Sequence, residues 1–434
     1  MSERAIRLSE AGSDRATGYV MSSKIVRRDG KLLCTWLDRA RYNHWAVVDP
    51  ATGRLEEQGW LDPPGVDNHC GAALAVDGDG TAHLVSGGHH SPFRYYRLGG
   101  DDRWGAWQQA AQLDDGGTYP SLVADGDGTL HLAYRVQGER WMLLYRRRPR
   151  GGAWSTPRVL VRAAKPGYVY WTNALALGPE GRLHLVLGNA RQRGDGAIYY
   201  GASHLYSDDS GGTWRQLGVA GAVPDGVSAW ELALIEGAGC DPERVQSAQE
   251  VVAGSAPGPL NYNYGNMLLS NPVIDAGGAP SAIVHNVLRG DAALQRWEGG
   301  RWQGQSLLPV VQSLLPGYRI HAQSALSRCA DGRLVALLMV APADVPGWGP
   351  NGTTLLRVVC TLGGSVLESE MAAPPDPGVA SWLPSIEQWT WVSPLDEPAW
   401  MHTRGVNAGG FADNVNAVQT EVWLRLPGDL RQIG

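Results

Sequence analysis

Two stretches of this chain share one strand–turn–strand layout, and this repeat constrains the fold more than any other feature. The first surrounds an Asp-Gly-Asp-Gly turn at residues 77–80, and the second surrounds the same four residues at 125–128. Runs of apolar residues flank both turns, as in a β-hairpin closed by an Asp-Gly turn. In a hairpin the start of the first strand lies beside the end of the second. Each stretch therefore predicts two neighbouring residues at the end away from its turn.

The same layout recurs less sharply along the chain. Further turns of this kind lie at 29–30, 178–181, 275–278 and 331–332, and the turns that begin at 77, 125 and 178 are 48 and 53 residues apart. That spacing fits a four-stranded propeller blade. A last unit is predicted from Trp382 to Leu426, and residues 220–260 are interpreted as an insertion or long loop. The prediction is an all-β fold: a seven-bladed β-propeller of four-stranded antiparallel blades, forming a single domain over residues 1–434.

The composition agrees with many short strands joined by turns. The chain has 57 Gly and 27 Pro in 434 residues and is only 18% charged, which argues against a helical protein. Its net charge of −6 does not favour nucleic acid as a partner, and no segment is apolar enough to predict a membrane span. Residues 1–16 show no apolar signal-peptide core, so the compartment is left open between the cytoplasm and export with the signal removed.

Cysteine and aromatic usage narrow the class further. The five cysteines are scattered without a C-x-x-C pair, so neither a disulfide framework nor a Cys-rich zinc site is predicted. The 18 Trp and 15 Tyr residues either pack between strands or stack on sugar rings, and the sequence leaves both readings open.

One short motif is specific to a fold. Residues 207–214 read Ser-Asp-Asp-Ser-Gly-Gly-Thr-Trp and resemble the Asp-box of sialidase-type propellers. That resemblance implies that Asp209 caps a hairpin turn and that Trp214 packs between blade strands. The motif is a folding signature and carries no chemistry of its own.

The propeller prediction brings the chemistry-bearing residues to one face. Because the innermost strands of all blades run in one direction, the starts of the first strands and the ends of the second strands share a rim. The first hairpin places His69 and His89 there, and the second places Tyr119 and Arg135. Further residues predicted on this rim as substrate-binding groups are His90, Tyr168, Tyr170, Trp171, Asn173, Arg191 and His321.

This rim holds few carboxylates, and that shortage distinguishes between hydrolysis and elimination of a glycosidic linkage. Hydrolysis of a glycosidic bond usually needs two carboxyl groups, and Asp67 is the nearest candidate for even one. A set of Tyr, His and Arg suits β-elimination beside a uronate instead. Arg or His neutralises the carboxylate so that the C5 proton becomes acidic, and Tyr or His takes that proton and donates one to the leaving oxygen. A cation beside Tyr119 is expected to lower the pKa of its phenol.

The segment 67–96 carries a resemblance to a known family. It runs from Asp-Asn-His at 67–69 to Gly-His-His-Ser-Pro-Phe-Arg-Tyr-Tyr at 88–96 and resembles the BNR repeat-containing family, whose best-understood members are propeller polysaccharide lyases of the ulvan lyase kind. The resemblance implies cleavage of an acidic polysaccharide or oligosaccharide by elimination. It implies that His69 and His89 are the paired histidines, that Tyr119 is the base and acid, and that Arg135 holds the carboxylate. No cofactor is expected to be required, and the sequence leaves open whether a structural Ca²⁺ or Zn²⁺ binds.

Two other functions compete with the lyase. A sialidase-like glycoside hydrolase would need an arginine triad with a Tyr/Glu pair, and the Arg-Ile-Pro signature of sialidases is absent from the N-terminal part. A non-catalytic glycan-binding propeller would have an aromatic mouth without a tyrosine close to both an arginine and a histidine. The proximity of Tyr119 to Arg135 and His69 is therefore the structural feature that separates these hypotheses.

Overall fold

A computed structural model describes residues 5–99, 103–193, 196–237, 267–286, 290–345, 348–390, 395–407 and 418–427. Within these ranges the chain forms strands β1 to β29 and one α-helix, which confirms the predicted all-β class. No described helix is long and apolar enough to cross a membrane.

The strands of the first part of the chain are β1 (Ala5–Gly12), β2 (Ile25–Arg28), β3 (Lys31–Leu37), β4 (Asn43–Val48), β5 (Leu55–Leu61), β6 (Ala73–Val76), β7 (Ala82–Ser86), β8 (Ser91–Leu98), β9 (Gln108–Ala124), β10 (Leu130–Val136), β11 (Met142–Arg148), β12 (Arg158–Arg162), β13 (Asn173–Leu177), β14 (Leu183–Arg193) and β15 (Gly196–Ser207). The remaining elements are β16 (Val227–Ser228), β17 (Leu234–Gly237), β18 (Met267–Leu269), β19 (Val273–Ile274), β20 (Pro280–Asn286), β21 (Asp291–Glu298), β22 (Arg301–Ser306), the helix α1 (Leu308–Leu314), β23 (Tyr318–Arg328), β24 (Leu334–Pro342), β25 (Thr354–Cys360), β26 (Val366–Met371), β27 (Ala380–Ile386), β28 (Trp400–Gly405) and β29 (Thr420–Arg425).

The described sheets are antiparallel meanders, apart from one short parallel pairing of β16 with β12. Four sheets have the orders β2-β3-β4-β5, β13-β14-β15-β17, β23-β24-β25-β26 and β18-β20-β21-β22, with β19 also pairing with β20. In the sheet β1-β29-β28-β27, the first described strand pairs antiparallel with the last, with Ile6 opposite Leu424. An eight-stranded sheet follows the order β16-β12-β11-β10-β9-β8-β7-β6 because the long strand β9 continues from one meander into the next.

The innermost strands surround a central cavity. Strands β2, β6, β9, β13, β19, β23 and β27 pack against one another in this order, and residues from all of them line a cavity of about 450 Å³. Burial decreases from the inside outward: every residue of β6 is buried, whereas most of the outer strand β5 is exposed. A strand buried on both faces needs a continuous apolar run, which is why β6 reads Ala-Leu-Ala-Val without alternation.

The Asp-Gly turns are held by a side-chain network at the face away from His69 and Tyr119. One carboxylate oxygen of Asp125 accepts the backbone N–H groups of Asp127 and Thr129 at 3.0 and 2.8 Å. Its other oxygen lies 3.2 Å from Nε2 of His131, whose Nδ1 lies 2.7 Å from the Tyr145 hydroxyl. The neighbouring hairpin repeats this network with Asp77, His83 and Tyr95. The turn residues therefore have a structural explanation.

The segment 207–214 forms a compact turn. The Asp209 carboxylate accepts hydrogen bonds from the Ser207 hydroxyl at 2.8 Å and the Thr213 backbone N–H at 2.7 Å. Trp214 is buried and meets the ring of Tyr145 edge-on at 5.4 Å. These contacts join this turn to the neighbouring β10–β11 hairpin.

The structure departs from the sequence prediction at three places. The repeat predicts separate four-stranded units, whereas β9 runs without a break over Gln108–Ala124 and joins two of them in one sheet. Residues 220–260 were predicted to be an insertion or long loop, but β16 and β17 lie within them, and β17 is the fourth strand beside β15. Residues 238–266 lie outside the described residues. The polar N-terminal stretch contributes β1, which the sequence pattern did not indicate, because its partner β29 lies more than 400 residues away.

Candidate active site

The open ends of the two hairpins meet in one cluster. The His69 and His89 rings stack with centroids 4.2 Å apart, and the Cζ atom of Arg135 lies 4.5 Å from the Tyr119 ring centroid. The His69 and Tyr119 rings are 5.9 Å apart, which joins the two pairs. The proximity expected from the repeat is present, while the catalytic roles of these four residues stay predictions.

The loop before β6 holds His69 through side-chain bonds to its backbone. The Asp67 carboxylate accepts the His69 backbone N–H at 2.8 Å, an Asx-turn that orients the ring. The Asn43 amide then fixes the following residues by donating to the Cys70 carbonyl at 2.9 Å and accepting the Ala72 N–H at 2.8 Å.

The position of His89 depends on close backbone packing after β7. A Cβ atom at Gly87 would lie 2.5 Å from the carbonyl oxygen of Gly71, and one at Gly88 would collide with the carbonyl oxygen of Ser91. Only glycine allows these approaches: Gly87 brings the end of β7 against the loop that carries His69, and Gly88 lets the chain turn closely onto Ser91.

A β-bulge directs Tyr119 into the cluster. Strands β9 and β10 pair regularly as far as Ser121 opposite Ala133, and the pairing then shifts to Thr118 opposite Arg135. Tyr119 lies in the shift with a φ of 58°, a left-handed conformation that is uncommon for a bulky residue. Bulges re-aim side chains beside functional sites, and strained backbone of this kind clusters at such sites.

Asp67 bridges the two histidines. His69 Nδ1 lies 3.1 Å from one carboxylate oxygen, and His89 Nδ1 contacts the other. Burial alone would raise the pKa of Asp67, but the hydrogen bonds from the two histidines outweigh it and hold the pKa well below its usual range. Asp67 is therefore an ionised acceptor shared by two imidazoles.

Two imidazoles of the cluster, His69 and His90, are neutral at neutral pH. Burial, and then the charge of Arg15, lowers the pKa of His69 to about 3. Burial, and then the charge of Arg135, lowers the pKa of His90 to about 4. Both rings are therefore uncharged over the neutral pH range, and His69 has a lone pair instead of a second proton.

Three tyrosines pack edge to face beneath the histidines. The Tyr119 ring lies 5.0 Å from Tyr19 and 4.8 Å from Tyr170. Burial raises the pKa of Tyr19 to about 12 and raises the pKa values of Tyr119 and Tyr170 well above 10. The expectation that a cation lowers the Tyr119 pKa is therefore wrong in its net direction. The charge of Arg135 acts that way, but desolvation is larger, and the phenol is protonated at neutral pH.

The Arg135 guanidinium lies between aromatic rings and retains unused donors. It is 1% exposed, lies 4.7 Å from the Trp141 ring centroid and donates from Nη1 to the Tyr168 hydroxyl at 3.3 Å. Its Nε and Nη2 atoms are buried and have no hydrogen-bond partner in the described part of the chain. A buried cation with unpaired donors is costly without a ligand, and the two free N–H groups suit a carboxylate.

The other predicted substrate-binding residues differ in exposure. His90 is exposed and Tyr168 is half-buried, so these two residues form the accessible edge of the cluster. The side chains of Asp67 and His89 are partly exposed at the same edge, with the His89 ring 4.4 Å from that of His90. Tyr170 is 8% exposed and belongs to the tyrosine layer.

The remaining predicted residues lie deeper or elsewhere. Trp171 and Asn173 are fully buried, and the Asn173 amide donates to the Trp171 carbonyl at 3.0 Å. His321 accepts the Gly349 backbone N–H at 3.0 Å, and no contact with the cluster is found in the described ranges. The backbone of Arg191 pairs with Ile198 in β14 and β15, while its side chain lies outside what the structure describes.

Sequence reasoning missed several members of the cluster. Arg15 contacts His69 Nε2 and lies 5.9 Å from the Tyr19 ring, and Trp141 faces Arg135. Asp67 was considered only as a hydrolytic carboxylate, although its position two residues before His69 is an Asx-turn signal. Arg15 and Tyr19 lie in a short polar stretch with no repeat, so no local pattern marked them.

The histidine pair also resembles a metal site. The donor atoms of Asp67, His69 and His89 all lie within 4.8 Å of one another, which would allow them to hold a metal ion. However, both Nδ1 atoms contact Asp67, and His69 Nε2 contacts the Arg15 cation. These contacts occupy both Nδ1 atoms and His69 Nε2 without a metal, so we describe the three residues as a hydrogen-bonded set.

Solved structures define the class to which this fold belongs. A polysaccharide lyase, the ulvan lyase PL25, matches with a TM-score of 0.66 at 13% identity over 95% of this chain and 94% of its own. The polysaccharide lyase Uly1 matches with a TM-score of 0.56 at 12% identity over 97% and 98%. The BP39L lectin from Burkholderia pseudomallei matches with a TM-score of 0.53 at 12% identity over 92% and 99%. The chain thus has an all-β, propeller-like fold shared by lyases and a lectin.

The sequence adds the family. The model of the BNR repeat-containing family matches residues 17–307, more than half of the chain. The chain belongs to the BNR repeat-containing family. No curated protein matches it.

Proposed function

We propose that this protein is a polysaccharide lyase that cleaves a uronic-acid-containing glycan by β-elimination. The observation that carries the proposal is the buried Arg135 guanidinium, with two unused donors, beside the Tyr119 phenol and the Asp67-bridged histidines. The fold neighbours named as ulvan lyases support it, one of them bound to a fragment containing GlcA.

Arg135 is the carboxylate ligand in this proposal. Its free Nε and Nη2 donors would pair with the two oxygens of the uronate carboxylate. Neutralising that carboxylate lets negative charge develop at the adjacent carbon, so the C5 proton becomes more acidic. Because the guanidinium is already ordered by Tyr119, Trp141 and Tyr168, little reorganisation opposes this step.

Tyr119 and the histidine pair carry the proton transfers. The protonated Tyr119 phenol donates its proton to the leaving glycosidic oxygen, and a neutral imidazole of the pair accepts the C5 proton. The C4–O bond breaks as the electron pair of the C5–H bond becomes the C4–C5 double bond. The raised Tyr119 pKa favours donating a proton over accepting one. The sequence prediction gave Tyr119 both proton transfers, as base and as acid, and the present proposal gives it only the role of the acid.

We also propose that the strands form seven blades. If the eight-stranded sheet is divided within β9, the described strands group into seven units, antiparallel except for the β12–β16 pair, each with one innermost strand at the central cavity. A single domain over residues 1–434 follows from this arrangement, because β1 and β29 belong to one unit. The cluster lies where the unit that begins with β6 meets the unit that begins in the second half of β9.

A substrate panel tests the proposed function. The protein is incubated with ulvan, glucuronan, rhamnose-glucuronate oligosaccharides and glycosaminoglycans, and near-ultraviolet absorbance is followed together with reducing ends. Elimination produces an unsaturated uronate that absorbs, and we expect absorbance and reducing ends to rise together. Reducing ends without absorbance would show a glycoside hydrolase, and binding without either product would show a glycan-binding protein; both outcomes contradict the lyase.

A further inference from the structure

The segment 13–19, between β1 and β2, is fixed against the last sheet. The Trp382 indole N–H donates to the Asp14 carbonyl at 2.7 Å, and the Thr420 hydroxyl donates to the Ser13 carbonyl at 2.6 Å. The Thr17 hydroxyl donates to the Leu383 carbonyl at 2.7 Å. Arg15 lies in the middle of this segment and is 6% exposed. The position of Arg15 is therefore fixed by hydrogen bonds to the last sheet from residues that precede it and from a residue that follows it in the chain.

Arg15 determines where His69 carries its proton. The Arg15 Nη1 atom contacts His69 Nε2, and a guanidinium nitrogen can only donate. Nε2 is therefore the acceptor, and the single proton of the neutral imidazole lies on Nδ1. This agrees with the 3.1 Å distance from Nδ1 to the Asp67 carboxylate.

His89 has the same tautomer but a different surrounding. Its Nδ1 contacts the other Asp67 oxygen, which places a proton on Nδ1, and in the neutral form of the ring the lone pair then lies on Nε2. No described residue forms a hydrogen bond with His89 Nε2. The His89 side chain is 13% exposed against 8% for His69, and its ring lies 4.4 Å from that of exposed His90.

We propose that Arg15 is a positioning residue which, by occupying the Nε2 lone pair of His69, leaves His89 Nε2 as the proton acceptor of the site. The assignment rests on the proposed elimination. In that step the C5 proton moves to His89 Nε2, Asp67 stabilises the imidazolium that forms, and Tyr119 protonates the leaving oxygen. His69 then acts as a neutral partner that keeps Asp67 and the stacked His89 ring in place.

Nuclear magnetic resonance tests the tautomers without any substrate. The full-length protein is labelled with ¹⁵N-histidine, and the His69 and His89 signals are assigned from their loss in His69→Gln and His89→Gln. We expect both rings to have a protonated Nδ1, with His69 Nε2 hydrogen-bonded and His89 Nε2 not. In Arg15→Gln the His69 Nε2 shift should move to that of a free lone pair, while Arg54→Gln, at an arginine whose side chain is 73% exposed, should leave it unchanged. A proton on His69 Nε2 in the wild-type protein would overturn the proposal.

Kinetics on a glycan that the protein cleaves test the division of roles. His89→Gln should lower kcat by about 10²- to 10⁴-fold, the usual contribution of a general base, and His69→Gln should lower it less. Arg15→Lys, which retains a donating cation, should recover part of the activity lost in Arg15→Gln. An equal or larger loss in His69→Gln than in His89→Gln would contradict the assignment. If no glycan in the panel is cleaved, the proposed function fails, while the resonance measurement still decides the role of Arg15.

Discussion

At the scale of single residues, burial decides the ionisation states in the site more than neighbouring charges do. The Arg135 cation lies against Tyr119, yet desolvation leaves the net pKa of that phenol well above 10. His69 lies beside a carboxylate that favours its charged form, yet burial and Arg15 lower its pKa to about 3. The site therefore contains a protonated Tyr119 phenol and a neutral His69 imidazole at neutral pH.

Removing the Tyr119 hydroxyl tests its assignment as the acid. Tyr119→Phe keeps the ring, which packs between Tyr19 and Tyr170, but removes the proton donor. We expect kcat to fall by about 10²- to 10⁴-fold, as for loss of a general acid, with an unchanged melting temperature. Tyr199→Phe is the matched control, since Tyr199 is a buried tyrosine whose ring lies 6.4 Å from that of Tyr170 and to which no proton transfer is assigned. Near-wild-type turnover in Tyr119→Phe would remove this residue from the mechanism.

At the scale of elements, each hairpin has its stabilising contacts at the turn and its candidate site residues at the open end. The turn end carries the network of Asp125, His131 and Tyr145, and the open end carries Tyr119 and Arg135. Strand pairing transmits the position of the turn to the open end, because a slip by one residue would turn every side chain to the other face. The bulge at Tyr119 is the exception that brings one side chain into the cluster.

A turn substitution should therefore change stability and leave the chemistry intact. Asp125→Ala removes the acceptor of two backbone N–H groups and leaves buried His131 without its carboxylate partner. We expect a loss of about 1–3 kcal/mol in the free energy of unfolding, from denaturant titration, with unchanged kcat for the folded protein. Asp127→Ala, two residues away and exposed, should change stability little. A fall in kcat without a loss of stability in Asp125→Ala would contradict this separation.

At the scale of the whole molecule, contacts between distant parts of the chain close the structure. Strand β1 pairs with β29, and Arg27 of β2 forms a two-pronged ion pair with Glu387, which follows β27, at 2.7 and 2.9 Å. The Glu387 side chain is fully buried and also accepts the Ala399 backbone N–H at 2.9 Å. The first sheet is thus joined to the last by a charged contact that is shielded from water.

Breaking this contact should be costly. Glu387→Gln leaves Arg27, whose side chain is only 18% exposed, without its charged partner. We expect the free energy of unfolding to fall by roughly 3 kcal/mol, the usual cost of removing one partner of a buried pair. Asp208→Asn breaks the exposed pair with Arg182 and should cost less than about 1 kcal/mol. Equal effects of the two substitutions in the same denaturant titration would argue against a special role for the buried pair.

The buried histidines predict a loss of stability in acid. Burial lowers the pKa values of His204 and His402 to about 3 and of His285 to about 4. These rings stay neutral in the folded protein, whereas the unfolded chain takes up protons below about pH 6.5, so their stabilising contribution is present above pH 6.5 and is lost as pH falls toward 4. Each should contribute a slope of up to about 1.4 kcal/mol per pH unit.

The slope can be measured by denaturant titration between pH 7 and about pH 5.5, where the unfolded histidines take up protons and few Asp and Glu side chains are protonated. His402→Gln should reduce the slope by up to about 1.4 kcal/mol per pH unit, which corresponds to one proton, whatever its effect on stability at pH 7. The reason is that residue 402 is fully buried in the folded protein, whereas its imidazole takes up a proton in the unfolded chain. A free energy of unfolding that is constant over this range would contradict the assignment of neutral buried histidines.

The sequence by itself determined the local features of this protein. The Asp-Gly turns and their apolar flanks specified the hairpins, and hairpin pairing brought the segment of His69 beside that of His89 and the segment of Tyr119 beside that of Arg135. Such information is local, since a hairpin is defined by residues that follow one another closely.

Only the tertiary structure decided which distant groups complete the site. Arg15 and Tyr19 reach it because segment 13–19 is held by Trp382 and Thr420, far away in sequence. The ionisation of Tyr119 also depended on burial, which comes from the packing of several sheets together. No pattern within one stretch of sequence records such contacts, because they exist only once the chain ends have met in one sheet.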